Sequence, residues 1–78
     1  MVLECYLNEL EPGEGALVMD LPEDGALRRR LEAFGMAPRI PVRCRYWGPG
    51  RHLMALELRG ALIALRRRDL SRIPVWRL

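Results

Sequence analysis

The chain has 78 residues, which is one domain at most, and a domain this small buries only ~60–65% of the surface its unfolded chain exposes. Half of the residues are apolar and 29% are charged, which excludes a disordered segment, and no apolar run approaches the ~18 residues of a membrane-crossing helix. The net charge of +3 conceals a division: residues 1–27 carry seven acids and no arginine, whereas residues 28–78 carry all 13 arginines and three acids.

Residues 1–6 begin Met1-Val2-Leu3-Glu4-Cys5, acidic and without the basic region and apolar stretch of a secretory signal. With only two cysteines, Cys5 and Cys44, the expectation is a reduced, cytoplasmic protein that meets a membrane only through a partner. Pro12-Gly13 marks a turn, and residues 16–21 read as a short buried strand ended by Pro22. Asp24 is placed to cap a helix over about residues 25–34, since its carboxylate can accept from free N–H groups of the first turn. Leu27, Leu31 and Phe34 recur at helical spacing on the expected core face. Gly35 follows as a left-handed C-terminal cap, and Pro38 prevents continuation.

Residues 41–47 alternate, with Val42, Cys44 and Tyr46 facing inward and Arg43, Arg45 and Trp47 outward. Gly48-Pro49-Gly50 is a turn. Residues 53–59 alternate again, with Met54, Leu56 and Leu58 on the core side. Arg59-Gly60 predicts a tight reversal into a strand over residues 61–65 that contributes Leu65 to the core. Residues 66–71 suit one helical turn. Residues 73–76 form a closing strand, placed at an edge because Pro74 cannot donate to a ladder. One helix followed by short strands and Gly/Pro turns makes the chain mainly β, a small barrel or sandwich.

Three stretches in this order resemble the FeoA family. Leu7-x-Glu9-Leu10-x-Pro12-Gly13-Glu14 is similar to the family's opening L-x-x-L-x-P-G-E, with the following glycine one place early at Gly15. Residues 25–38, with Arg29-Arg30-Leu31 and Gly35-Met36-Ala37-Pro38, are similar to the family's helix and its exit. Gly60-Ala61-Leu62-Ile63-Ala64-Leu65-Arg66 and Ile73-x-Val75 are similar to its finish. There are departures: Phe34 and Met36 stand in place of leucines, and Arg39 stands where the family has a glycine after its proline. Residues 47–53 match loosely, and residues 1–6 extend beyond the usual start, either as an added strand or as a mobile segment. The resemblance implies one SH3-like β-barrel domain over residues 1–78 with an inserted helix. It also implies a non-enzymatic accessory of ferrous iron uptake that docks on the cytosolic part of a FeoB-type transporter, and a link to iron by association rather than a bound cofactor.

The side chains point the same way. One histidine, His52, one serine, Ser71, and no phosphate-cradling glycine motif leave little for catalysis. Cys44 and His52 are the weak metal candidates, Cys44 reading better as a small core residue. The acidic N-terminal stretch either pairs with the basic strands, which a barrel would bring alongside, or leaves a basic surface for an anionic partner. Met36, Trp47 and Arg51 are the candidate partner contacts, with Arg28 and Arg66 as electrostatic guides, because tryptophan and arginine anchor interfaces. Trp47 is expected either to reach solvent, so that its loss weakens binding and spares the fold, or to pack under residues 1–6. A small basic nucleic-acid binder and a domain that weakly self-associates are the alternatives.

Overall fold

The computed structural model describes residues 3–78; Met1 and Val2 lie outside the described residues. Six strands form one antiparallel sheet: β1 (Leu3–Tyr6), β2 (Gly15–Val18), β3 (Pro41–Trp47), β4 (Leu53–Leu58), β5 (Ala61–Arg66) and β6 (Pro74–Arg77), in the spatial order β1-β6-β2-β3-β4-β5. The expected closed barrel is not formed. β1 and β5 are the two edges, and leucines from outside the sheet complete the core instead. Leu27 and Leu31 of helix α1 (Gly25–Ala33), Leu70 of the short helix α2 (Arg67–Leu70), and Leu7 and Leu10 near a 3-10 turn join the inward residues of β2–β6 in one buried cluster. The part of the extension within the described residues is not loose: β1 pairs Leu3 with Arg77 and Cys5 with Val75.

Helix α1 begins as the capping residue predicts. The Asp24 carboxylate accepts from the Leu27 N–H at 3.1 Å, and that bond, helped by Arg72, holds the carboxyl below its usual range. At the other end, Gly35 N–H donates to Glu32 O at 2.9 Å and Met36 N–H to Leu31 O at 3.0 Å, with Gly35 at φ +95°. This pairing turns the chain so that the second residue past the cap packs back toward the helix. Met36 is therefore buried at 1% exposure, while Phe34, expected in the core, sits on the capping residue at 39%. A helical period carried onto the cap misassigns Phe34, and the expectation that Met36, leaving the helix just after its cap, meets a partner gives way to this return to the core.

The next turn contains a strained residue. Ile40 N–H donates to Ala37 O at 3.2 Å, closing a turn with Pro38 second and Arg39 third. Arg39 has φ +69°, the conformation for which the third position of such a turn favours glycine. Arg39 thus holds a left-handed backbone that a glycine would adopt without strain.

β3 departs from simple alternation. Its register against β4 shifts between Cys44 and Tyr46, a β-bulge at Arg45. A bulge adds one residue and reverses the faces beyond it. Val42 and Cys44 are buried as expected, but Tyr46 is 56% exposed and Trp47 turns inward against the core. β4 and β5 follow the pattern, with Met54, Leu56, Leu58 and Leu65 buried. Their two-residue turn has φ +51° at Arg59 and +78° at Gly60. β6 is not an edge strand: it lies between β1 and β2. Pro74 is tolerated because it is the first residue of the strand, where a missing N–H interrupts nothing further along.

Two substitutions test this account. Leu31→Ala removes a fully buried side chain and is expected to cost ~2–5 kcal/mol in urea unfolding; a negligible change would reject the helix face. Arg39→Gly is expected to raise stability by ~0.5–1 kcal/mol, because relief of a left-handed residue exceeds the added chain entropy.

Candidate functional site

A groove of about 610 Å³ runs between α1 and the free edge of β5. Leu27, Arg30 and Phe34 line it from the helix, Ala64, Leu65 and Arg66 from the strand, and Arg68, Asp69 and Arg72 close its end. A second depression of about 560 Å³ shares Leu53, Arg66 and Arg68 with it and adds His52 and Arg67. Both owe their position to the hairpin. β5 runs directly into α2, and the Arg67 N–H bonds to His52 O at 2.8 Å, which holds the start of α2 against the beginning of β4.

The groove's charges divide into two sets. Arg30 Nη2 pairs with Asp69 at 2.9 Å, and Arg72 with Asp24 at 3.6 Å. Arg66, Arg67 and Arg68 are exposed and make no side-chain ion pair or hydrogen bond among the described residues. Elsewhere the acidic N-terminal stretch is answered in part: Glu11 meets Arg51 at 3.1 Å and Glu14 meets Arg77 at 3.8 Å. Long-range pairing therefore takes up part of the charge division and leaves Arg66-Arg67-Arg68 as an uncompensated run among the described residues.

The residues expected at a partner surface are dispersed. Met36 is in the core and presents no surface. Arg28 braces the helix start, 3.7 Å from Glu32 and donating to Leu21 O at 3.2 Å. Trp47 is half-buried, and its Nε1–H donates to Leu10 O at 3.1 Å. Arg51 lies 4.4 Å over the indole ring and donates to both Glu11 oxygens, at 3.3 and 3.1 Å. Trp47 is thus not a free anchor: Leu10 O and the Arg51 guanidinium both engage its indole. It pins the loop at residues 10–11 to β3. Arg66 alone of the five lies in the groove.

The weak metal candidates are also separated by environment. Cys44 is fully buried and burial pushes its thiol pKa up, which disfavours the thiolate that a metal needs; His52 is exposed. Among the described residues, no group of three or more His, Cys, Asp or Glu side chains is disposed to hold a metal ion. The groove itself joins α1 to α2 through Arg30–Asp69, 39 residues apart; local spacing gives no sign of that pairing, although the run Arg66-Arg67-Arg68 is conspicuous in the sequence.

Comparison with known proteins gives a consistent result. The family described as the FeoA domain matches residues 5–76. No curated protein matches the sequence. The fold is similar to a FeoA-like protein from Clostridium acetobutylicum, with TM-score 0.88, 26% identity, and coverage of 100% of this chain and 91% of that one. It is also similar to the zinc-complexed FeoA of Stenotrophomonas maltophilia, described as a prokaryotic SH3 domain protein and a candidate ferrous iron transport activating factor, with TM-score 0.78, 26% identity, and coverage of 90% and 87%. A manganese-dependent transcriptional repressor shares the fold alone, at TM-score 0.88 and 16% identity over 96% of this chain and 41% of that one.

Trp47→Ala is now expected to destabilise the fold by ~1–3 kcal/mol in denaturant unfolding, below the ~3–5 kcal/mol of a fully buried aromatic. Unchanged stability would show that the indole does not hold the loop.

Proposed function

The chain belongs to the FeoA family, and from that premise we propose that it is a cytoplasmic, non-catalytic accessory of ferrous iron uptake. It binds the cytosolic part of a FeoB-type transporter, and the arginine groove is the contact. The observation that carries this reading is the run Arg66-Arg67-Arg68, free of ion pairs among the described residues and set beside half-exposed Leu53 and Phe34. Arginine beside accessible apolar surface is the composition that anchors protein interfaces. The S. maltophilia relative's description as a transport activating factor supports the same role. No helix among the described residues is long and apolar enough to cross a membrane, and in this reading the contact with transport runs through the transporter's cytosolic part. Both cysteines are free, which suits a reducing compartment.

The test is a chemical-shift titration of labelled protein with the cytosolic domain of its cognate transporter, with and without a GTP analogue. Shifts concentrated on Arg30, Phe34, Leu53 and residues 64–68 are expected. The double variant Arg67→Gln, Arg68→Gln should weaken binding about tenfold, or ~1.4 kcal/mol. Unchanged affinity would remove the groove from the contact. No shifts at saturating partner would reject docking on the cytosolic part, and shifts with duplex DNA at low salt would turn the reading toward nucleic acid.

A further inference from the structure

The groove has a feature that a patch of charge alone does not explain: one wall of it is an unpaired strand. β5 bonds only to β4. A two-residue turn at Arg59-Gly60 makes Leu58 and Ala61 the first hydrogen-bonded pair of the ladder. By the antiparallel alternation, Ala61, Ile63 and Leu65 direct their backbone groups at β4, and Leu62, Ala64 and Arg66 direct theirs at the open edge, of which Ala64 and Arg66 line the groove. No backbone bond to Leu62 or Ala64 joins them to another element on this side; the Arg66 C=O, as the cap of α2, accepts the first bond of that helix, which leaves its N–H for the edge. Along the same edge Leu62 is 56% exposed and Ala64 is exposed. An apolar edge with free N–H and C=O groups is a template for another strand, and folded proteins ordinarily blunt or cover it. The opposite edge differs: β1 is shorter, and the Tyr6 N–H at its end is already taken by the Glu9 carboxylate at 2.7 Å.

We propose that β5 binds an extended, acidic segment of a partner by strand addition, with the added strand lying in the groove between β5 and α1. Main-chain bonds to Leu62 and Ala64, and from the Arg66 N–H, supply the affinity. Its acidic side chains meet Arg66, Arg67 and Arg68, and its apolar ones meet Phe34 and Leu53. Strand addition of this kind takes affinity from the backbone and specificity from flanking side chains. A second copy of the chain is the wrong occupant. A symmetric antiparallel pairing centred on Ala64 sets Arg66 against Leu62 and brings Arg68 beside Arg59-Gly60, so cations gather at both ends. An acid-bearing strand removes that repulsion and answers the uncompensated run. The inference deepens the docking reading above, on which it rests for the partner's identity.

The probe is the synthetic peptide Ac-Glu-Val-Glu-Val-Glu-Val-Glu-NH2, read by amide hydrogen exchange of the labelled protein at 50 mM salt. At saturation, exchange at Leu62, Ala64 and Arg66 is expected to slow at least about tenfold, with shifts at Arg30 and Phe34, and the effect should weaken at 500 mM salt. Ala64→Pro removes an N–H that faces the groove rather than the ladder and should abolish the protection. Should that variant fail to fold, the surface double variant Arg67→Glu, Arg68→Glu should abolish it as well. Absence of protection at these three amides, protection moved to β1, or protection that survives the substitutions would overturn strand addition. The peptide contains no transporter sequence. Its failure therefore leaves the transporter titration to judge docking, and failed docking leaves the peptide to judge strand addition.

Discussion

Burial of leucines that come from outside the sheet is the interaction on which this structure depends. The sheet is open, so its inward face would be wet along one side without Leu27 and Leu31 of α1, Leu70 of α2, and Leu7 and Leu10 ahead of β2. A chain of 78 residues has a small core, so each of these leucines is a large share of it. The capping turn at Gly35 fixes where α1 stops, and with it where Met36 enters the core and where Phe34 remains outside. One wall of the groove is thus set by a helix end, and the other by a strand that the helix does not cover.

Elements with a local cause were legible in the sequence. Asp24, Gly35 and the spacing of Leu27 and Leu31 define α1 within a residue, and the β4–β5 hairpin follows from its alternation and from Arg59-Gly60. What escaped was decided by partners distant in the chain. The surplus residue at Arg45 exists only relative to β4, and so the alternation that seemed to put Trp47 outside held only as far as Cys44. Pro74 marks an edge strand by propensity, yet β1 brings a further strand to that side. Met36 had a readable sign: the residue after a left-handed glycine cap often returns to the helix.

The candidate site was legible in composition and not in position. The arginine run at residues 66–68 is plain in the sequence, as is the acidic character of residues 1–27. Which arginines are neutralised is a property of the fold. Arg30, Arg51, Arg72 and Arg77 find carboxylates far away in the chain, and such exposed pairs contribute little to stability. Their larger effect is subtractive. They leave Arg66, Arg67 and Arg68 as a consecutive unpaired run at one end of β5 among the described residues, a local charge that can steer an acidic partner.

The bulge in β3 also bears on how this chain is compared with its relatives. Residues 41–47 hold one more residue than the opposite stretch of β4 requires. Aligned without a gap against a strand lacking the surplus, every position after residue 45 would match an inward side chain with an outward one. Tyr46 and Trp47 would exchange apparent roles, and an aromatic that pins a loop would be scored as surface variation. Opening a single gap at Arg45 keeps the faces in phase, so that substitutions at the indole position are weighed as changes to packing.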